Sequence, residues 1–248
     1  MTATTGGEAP KRARHEFVER LCDRTDSMGA WAVGMVRDGF RAYQRRDAAA
    51  AQEVIRRDDR LNALDVAIEQ EGMQDLATQQ PEAGDLRIVA AALKVASYLD
   101  RVGRQGYDMA RLTLESASED AGPPAPLREE WAMLEQMSDR ATIMVERAVS
   151  AFRRQDSDAA RTVVEMDDAV DALNRGMLSR LTRAGSVGEA PSAGERIRHA
   201  LVARSLERVA DNACKIAEKT VYSATGLRRT ETTYLPHRNV PSKPEGSE

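Results

Sequence analysis

The chain of 248 residues is poor in aromatic residues, cysteine and histidine. Aromatic side chains make up 4% of the sequence, and it contains two cysteines and three histidines. Few aromatics beside many alanines, leucines, arginines and glutamates favour helices over a β-sheet core. Cys22 and Cys214 are too few to form the disulfide framework of a small secreted protein. We therefore expect a reducing, cytoplasmic setting.

Long apolar runs and an excess of positive charge are also missing. No stretch approaches the roughly 20 apolar residues that span a bilayer, so we predict no direct membrane insertion. The polar opening residues are not typical of a secretory signal. The formal net charge of -4 argues against a general nucleic-acid binder, which would be basic. We therefore expect no nucleic-acid partner.

The usual catalytic signatures are not present in the sequence. It has no phosphate-binding glycine loop and no glycine-x-serine-x-glycine element. None of the histidines follows the glutamate-x-x-histidine pattern of di-iron bundles. We interpret His199 as a partly exposed helix residue rather than a metal ligand. No anion-binding motif is visible, so we expect any anion signal to arrive through a partner protein.

Helical periodicity fills the stretches between three breaks rich in proline and glycine. The pattern predicts six helices, at roughly 15–45, 48–78, 85–117, 127–154, 157–184 and 194–224. In the last helix one apolar stripe recurs at spacings of three and four, namely Leu206, Val209, Ala213, Ile216 and Thr220. Long helices joined by short loops pack as antiparallel bundles, and we predict that architecture here.

The two halves of the chain repeat each other. At a shift of 109 positions Met28 falls on Met137 and Asp47 on Asp156, and at a shift of 107 Arg101 falls on Arg208. The duplication predicts an all-α fold of two tandem antiparallel three-helix bundles. The predicted division is a flexible tail at 1–13, a first repeat at 14–120, a linker at 121–126, a second repeat at 127–226 and a flexible tail at 227–248.

Two pairs of carboxylates stand out in the second repeat. Asp167 and Asp171 are four positions apart on the fifth predicted helix, and Glu207 and Asp211 are four apart on the sixth. Residues at this spacing share a helical face, so neighbouring helices could bring all four together. Such oxygen-rich sites suit hard cations such as Mg²⁺, Mn²⁺, Ca²⁺ or iron. Two solvated acidic faces remain an equally weighted alternative.

The first repeat departs from this arrangement. Asp58 and Asn62 match the first pair, and Asp100 and Arg104 match the second. An arginine cannot ligate a metal. We predict that Arg104 pairs with Asp100 or Asp58, so that Asp58 and Asp100 form at most a weaker site.

Four segments of the chain resemble the PhoU family of phosphate-transport regulators. Residues 79–87, QQPEAGDLR, are similar to its Q-Q-P-V-A-x-D-L-R loop, and residues 206–213, LERVADNA, to its L-E-R-I-G-D-H-A motif. Residues 98–103, YLDRVG, resemble an altered first-repeat copy of the second motif. Residues 166–173, MDDAVDAL, resemble the family's D-x-x-V-D-x-L helix. The resemblance covers roughly residues 14–225.

The resemblance implies a cytoplasmic adaptor of two three-helix bundles without catalytic turnover. Such proteins act with the ATPase subunit of the phosphate ABC transporter and with a sensor histidine kinase, and they repress the phosphate-starvation response when phosphate is plentiful. The resemblance leaves the partner-binding surface unassigned and a homodimer open. It also implies that Asp85 and Arg87 cap the third predicted helix, where an acidic residue in the first turn favours the helix dipole.

Family members can bind metal through E(D)-x-x-x-D motifs, one set in each repeat. The resemblance therefore implicates Glu207 and Asp211, supported by Asp167 and Asp171, in binding a divalent or iron-type metal ion in the second repeat. Arg104 departs from the motif in the first repeat.

Two other functions compete with the adaptor. A carboxylate-bridged metal enzyme would use the same four acidic residues, although no histidine accompanies them. A metal store would need more sites than the one that the sequence predicts.

Overall fold

In the computed structural model, residues 16–79, 81–117, 128–183 and 192–227 are described, and every regular element within these ranges is an α-helix. The helices are α1 (Glu16–Arg45), α2 (Ala48–Arg56), α3 (Asp58–Thr78), α4 (Ala83–Ala117), α5 (Arg128–Arg154), α6 (Ser157–Glu165), α7 (Asp167–Arg183) and α8 (Ala193–Thr225). No helix in these ranges is both long and apolar enough to cross a membrane.

The six predicted helices are present, and two of them are each interrupted at a single residue. The helix predicted at 48–78 breaks at Arg57, and the one predicted at 157–184 breaks at Met166. At both residues the backbone N–H donates to the carbonyl three positions earlier, over 3.1 Å to Val54 and 3.2 Å to Val163, which tightens the turn. Neither break carries a proline or glycine, so no local signal predicts it.

The duplication is confirmed by backbone geometry. Arg46 and Gln155, 109 positions apart, both have positive φ, at 53° and 52°. The next residues, Asp47 and Asp156, cap α2 and α6 with nearly identical dihedrals, and each side chain accepts a 2.9 Å hydrogen bond from the backbone N–H three residues on. The two repeats therefore begin their second helices with the same turn.

The four longest helices build the centre of the molecule. α1 packs chiefly on α4 and α5 chiefly on α8, while α4 against α8 and α1 against α5 join the two repeats. Buried apolar side chains of both repeats form one continuous core, and the stripe predicted on α8 is fully buried. The shorter helices flank this core, with α3 against α4 and with α6 and α7 against α8.

Local signals mark the ends of the long helices, and of the two residues predicted to cap the third helix, Asp85 lies in its first turn. The charge of Asp85 favours the dipole of this helix, α4. Arg87 lies further along α4, beside Gly226, the left-handed residue that ends α8. A capping box of Ser192 and Glu195 begins α8. The tails predicted at 1–13 and 227–248, apart from residue 227, and the linker predicted at 121–126 lie outside the described residues.

Candidate functional site

The four predicted carboxylates of the second repeat lie on two neighbouring helices. Asp167 begins α7 and Asp171 follows one turn later, and both Glu207 and Asp211 lie on α8, which packs against α7. We call these four residues the acidic cluster. The break at Met166 makes Asp167 the first residue of a helix, where its charge is favoured by the exposed N–H groups.

The acidic cluster holds several carboxylates close together, so their like charges affect the pKa values of Asp167 and Glu207. Burial, followed by the charges of Asp171, Asp211 and Glu207, raises the pKa of Asp167 to about 6. Burial and then Asp211 raise the pKa of Glu207, against the opposing charge of Arg204. The cluster therefore carries negative charge that the fold only partly compensates.

Two arginines reach the edge of the acidic cluster. Arg204 Nη1 lies 3.4 Å from Glu207 Oε1, and Arg175 Nη1 lies 3.6 Å from Asp171 Oδ2. Both arginines are largely exposed, at 65% and 70%, so these pairs are weak. The second carboxylate oxygen of Glu207, Oε2, is buried without a hydrogen-bond partner among the described residues.

Cys214 lies close to the acidic cluster as a protonated thiol. Burial and the nearby carboxylates, Asp167 first among them, raise the pKa of this thiol. The charged form that would bind a metal is therefore disfavoured. Within the described parts of the chain, no three histidine, cysteine, aspartate or glutamate side chains are grouped closely enough to hold a metal ion.

The first repeat places an arginine where the second has an aspartate. Arg104 on α4 donates to Asp58 at the start of α3, with a 2.9 Å distance between Nη1 and Oδ2, as the sequence predicts. Asp100 lies near enough to raise the pKa of Asp58, although burial contributes more to that rise. In the first repeat Arg104 therefore compensates the charge of Asp58, whereas the second repeat has a carboxylate, Asp211, at the position equivalent to Arg104.

The prediction of a partly exposed His199 is wrong. The imidazole is 4% exposed, and its Nδ1 lies 3.0 Å both from the Tyr43 hydroxyl and from the Glu195 carbonyl oxygen. Trp131 packs edge-on against the ring, and burial lowers the pKa of His199. These contacts join α1, α5 and α8, and the pairing of distant helices is not visible in the local sequence.

The chain matches one family twice. The family model described as the PhoU domain matches residues 25–113 and 134–220. The two matches begin 109 positions apart and end 107 apart, which are the two shifts that align the repeats.

Three similar curated proteins carry the same name. The chain is 31% identical over 201 residues to the phosphate-specific transport system accessory protein PhoU homolog of Pseudomonas aeruginosa, covering 81% of this chain and 80% of the relative. The protein of that name from Rhizobium meliloti is 30% identical, with coverage of 86% and 87%. The one from Aquifex aeolicus is 33% identical, with coverage of 75% and 80%.

Solved structures share the fold. The crystal structure of PhoU from Pseudomonas aeruginosa superposes with a TM-score of 0.76 at 28% identity, covering 85% of this chain and 98% of that one. The phosphate transport system regulatory protein PhoU from Streptococcus pneumoniae gives the same TM-score at 21% identity, which supports the fold alone. The all-α tandem-bundle fold predicted from the sequence is confirmed.

Proposed function

Because the chain belongs to the PhoU family, whose members are named accessory proteins of phosphate transport rather than enzymes, we propose that it is a cytoplasmic adaptor that restrains phosphate-starvation signalling when phosphate is plentiful. Its partners in this proposal are the ATPase subunit of the phosphate ABC transporter and a sensor histidine kinase. The double match of the family to both repeats carries the proposal.

The physical character of the molecule supports a binding role. Its helices form one continuous core, so the molecule can present several long helical faces as rigid surfaces. Large apolar residues on these faces are partly exposed, among them Met73, Ile197 and Leu201. Exposed apolar groups are typical of contact surfaces, although none of these residues identifies a particular partner.

Deletion of the gene in its native host tests the adaptor proposal. We expect a starvation-induced reporter to rise severalfold in phosphate-rich medium, because the restraint on the kinase is lost, and to fall again when the intact gene is restored. Affinity capture of the tagged chain from phosphate-rich extract is expected to recover the transporter ATPase or the kinase.

Normal repression in the deletion strain would contradict the adaptor role. So would capture of neither partner from an extract in which both are expressed. If a partner is recovered, the comparison of Glu207→Ala and Asp211→Ala with the unchanged chain shows whether the acidic cluster contributes to that contact.

As a second candidate function, we propose that the acidic cluster attracts a divalent or iron-type metal ion. The favouring observations are the pKa values of Asp167 and Glu207, which burial and neighbouring carboxylates raise, and the buried Oε2 of Glu207, which has no hydrogen-bond partner among the described residues. Carboxylate oxygens are the donors that hard cations prefer. The described side chains do not converge on one point as they stand, so cation binding would require them to rotate inward.

Thermal unfolding tests the charge of the acidic cluster. The pKa of Asp167 in the folded chain, about 6, exceeds the ordinary value of 3.8 for an aspartate, so the folded state binds more protons between these values. Stability is then expected to fall as the pH rises through this window and to stay lower above pH 6. Asp167→Asn removes the repulsion, and we expect it to raise Tm at pH 7.5 by about 2–4 °C, equivalent to ~1 kcal/mol.

Asp59→Asn is the matched control. Asp59 lies in the first turn of α3, as Asp167 does in α7, but it is exposed. If Asp59→Asn raises Tm equally, the gain does not come from the acidic cluster.

Addition of Mn²⁺ at pH 7.5 is expected to raise Tm of the unchanged chain and not of the double variant Glu207→Gln, Asp211→Asn. An equal rise in both would contradict the metal proposal.

A further inference from the structure

A small cavity lies between α4 and α8, where the two repeats meet. Its volume is about 140 Å³, well below the ~300–1,000 Å³ of sites for drug-sized ligands. Two residues of α4 and four of α8 line it: Arg101, Gln105, Arg208, Asp211, Asn212 and Lys215. We call this the inter-repeat cavity. It can take an ion of a few heavy atoms.

The inter-repeat cavity is built from equivalent positions of the duplicated sequence. Arg101 and Arg208 are 107 positions apart, as are Gln105 and Asn212, and this is the shift that aligns α4 with α8. Each repeat therefore contributes one arginine and one amide side chain. The duplication has brought two copies of the same pair of groups to one point, which neither repeat could do alone.

The charge of the inter-repeat cavity favours an anion. Among the lining residues, Arg101, Arg208 and Lys215 carry three positive charges and Asp211 carries one negative charge. Two carboxylates outside the lining, Asp108 and Glu207, lie close enough to Arg208 for its charge to oppose the rise that burial causes in their pKa values. None of the three cations is ion-paired with any residue that the structure describes, although Arg101 stacks over the Tyr98 ring at 5.7 Å. Nearby Arg104, Arg204 and many other arginines of the chain do have such partners.

The amide side chains of the cavity need hydrogen-bond donors. Gln105 and Asn212 are 6% and 5% exposed, and their NH₂ groups donate to backbone carbonyls one turn earlier, over 3.2 and 2.7 Å. The amide oxygens, Gln105 Oε1 and Asn212 Oδ1, are buried without a donor among the described residues. Terminal amide torsions are broad, so a small rotation would turn either oxygen towards an incoming donor.

From these observations we propose that the inter-repeat cavity binds inorganic phosphate. At neutral pH the ion carries both negative oxygens, which the two arginines and Lys215 can bind, and a protonated oxygen, which can donate to Asp211 or to an amide oxygen. Sulfate has the same shape and no such proton, so it leaves these acceptors without a donor. The cavity therefore combines affinity for an oxyanion with a means of selecting phosphate.

The biological meaning of this binding rests on the proposed function, because a chain that restrains starvation signalling would then read phosphate directly. The binding itself depends only on the cavity. It is tested on the purified chain, so failure of binding and failure of the adaptor role are separate results.

Calorimetric titration of the full chain with inorganic phosphate tests the proposal. The protein is first dialysed against a chelator, so that phosphate held by a metal at the acidic cluster does not contribute. We expect Arg101→Gln and Arg208→Gln each to weaken binding about tenfold, because each removes charged hydrogen bonds. Arg204→Gln is the matched control: it removes the same charge from α8, one turn before Arg208, at a residue outside the cavity lining, and binding is expected to stay within twofold.

Asp211→Asn tests the selectivity. We expect phosphate to bind the unchanged chain at least tenfold more tightly than sulfate, and this ratio to shrink in Asp211→Asn because the amide can donate to sulfate. Asp59→Asn removes an exposed carboxylate of α3 that does not line the cavity, and it should leave the ratio unchanged.

Three results of the phosphate and sulfate titrations would overturn the proposal. They are no phosphate binding by the folded chain, equal binding by the two cavity variants and Arg204→Gln, and equal affinity for phosphate and sulfate. Equal affinity for O-phosphoserine and inorganic phosphate would also overturn it, because the cavity would then accept a phosphoryl group on a larger partner. Circular dichroism of each variant separates loss of binding from loss of folding.

Discussion

Replacement of Phe152 by alanine is expected to destabilise the protein by about 3–5 kcal/mol. The ring is completely buried near the end of α5, among the largest side chains of the continuous core. Its removal costs the transfer free energy of the ring and leaves a cavity that long, tightly packed helices close only in part. Thermal unfolding should show a fall in Tm of roughly 10 °C.

Leu178→Ala is the control for this prediction. Leu178 lies on α7 with 44% of its surface exposed, and we expect its truncation to change stability by no more than about 0.5 kcal/mol. If the two variants lose similar stability, the continuous core does not hold the second repeat together as the structure indicates.

Comparison of the repeats explains why phenylalanine stands at this position. Its equivalent in the first repeat, 109 positions earlier, is Tyr43, whose hydroxyl is hydrogen-bonded to the buried His199. The position equivalent to His199, 107 positions earlier, is Ala92. A hydroxyl at position 152 would therefore lack a matching imidazole, and an unpaired buried hydroxyl costs about 1–3 kcal/mol.

Much of the fold can be predicted from the sequence because its signals are local and periodic. The apolar stripe of α8 and the two shifts of the duplication identify the helices, their buried faces and their equivalence. The breaks at Arg57 and Met166 escape prediction because ordinary helix-forming residues occupy them. Tertiary packing can override helix propensity, so a break at such residues has no local signature.

The same distinction between local signals and tertiary packing applies to the candidate sites. One charge reversal between aligned positions predicts that Arg104 pairs with Asp100 or Asp58, and the structure shows the pair with Asp58. The inter-repeat cavity is invisible at that level, because Arg101 and Arg208 are 107 positions apart and nothing local shows that α4 and α8 face each other there. The burial of His199 has the same origin, since its partner lies 156 positions away.

The helix backbones approach each other closely at Gly39 on α1 and Gly106 on α4, and Gly106→Ala is expected to destabilise the protein by about 1–3 kcal/mol. A Cβ at Gly106 would lie 2.5 Å from the carbonyl carbon of Met35 and 2.7 Å from the backbone N of Val36. Backbone atoms cannot rotate aside as side chains can, so α1 and α4 would have to separate. The second repeat has Ala148 and Ala213 at the equivalent positions, so only the first repeat depends on this glycine contact.

Gly34→Ala separates the steric effect from helix propensity. Gly34 also lies within α1, and a Cβ there would meet nothing within 4 Å. Alanine at this position should stabilise the protein by about 0.5–1 kcal/mol, because it restricts the unfolded chain and favours the helix. Urea unfolding of the two variants is therefore expected to move the midpoint in opposite directions. A shift of both midpoints upwards would mean that α1 and α4 can separate at little cost. The crossing at Gly106 would then not fix the position of Gln105, the preceding residue of α4, in the inter-repeat cavity.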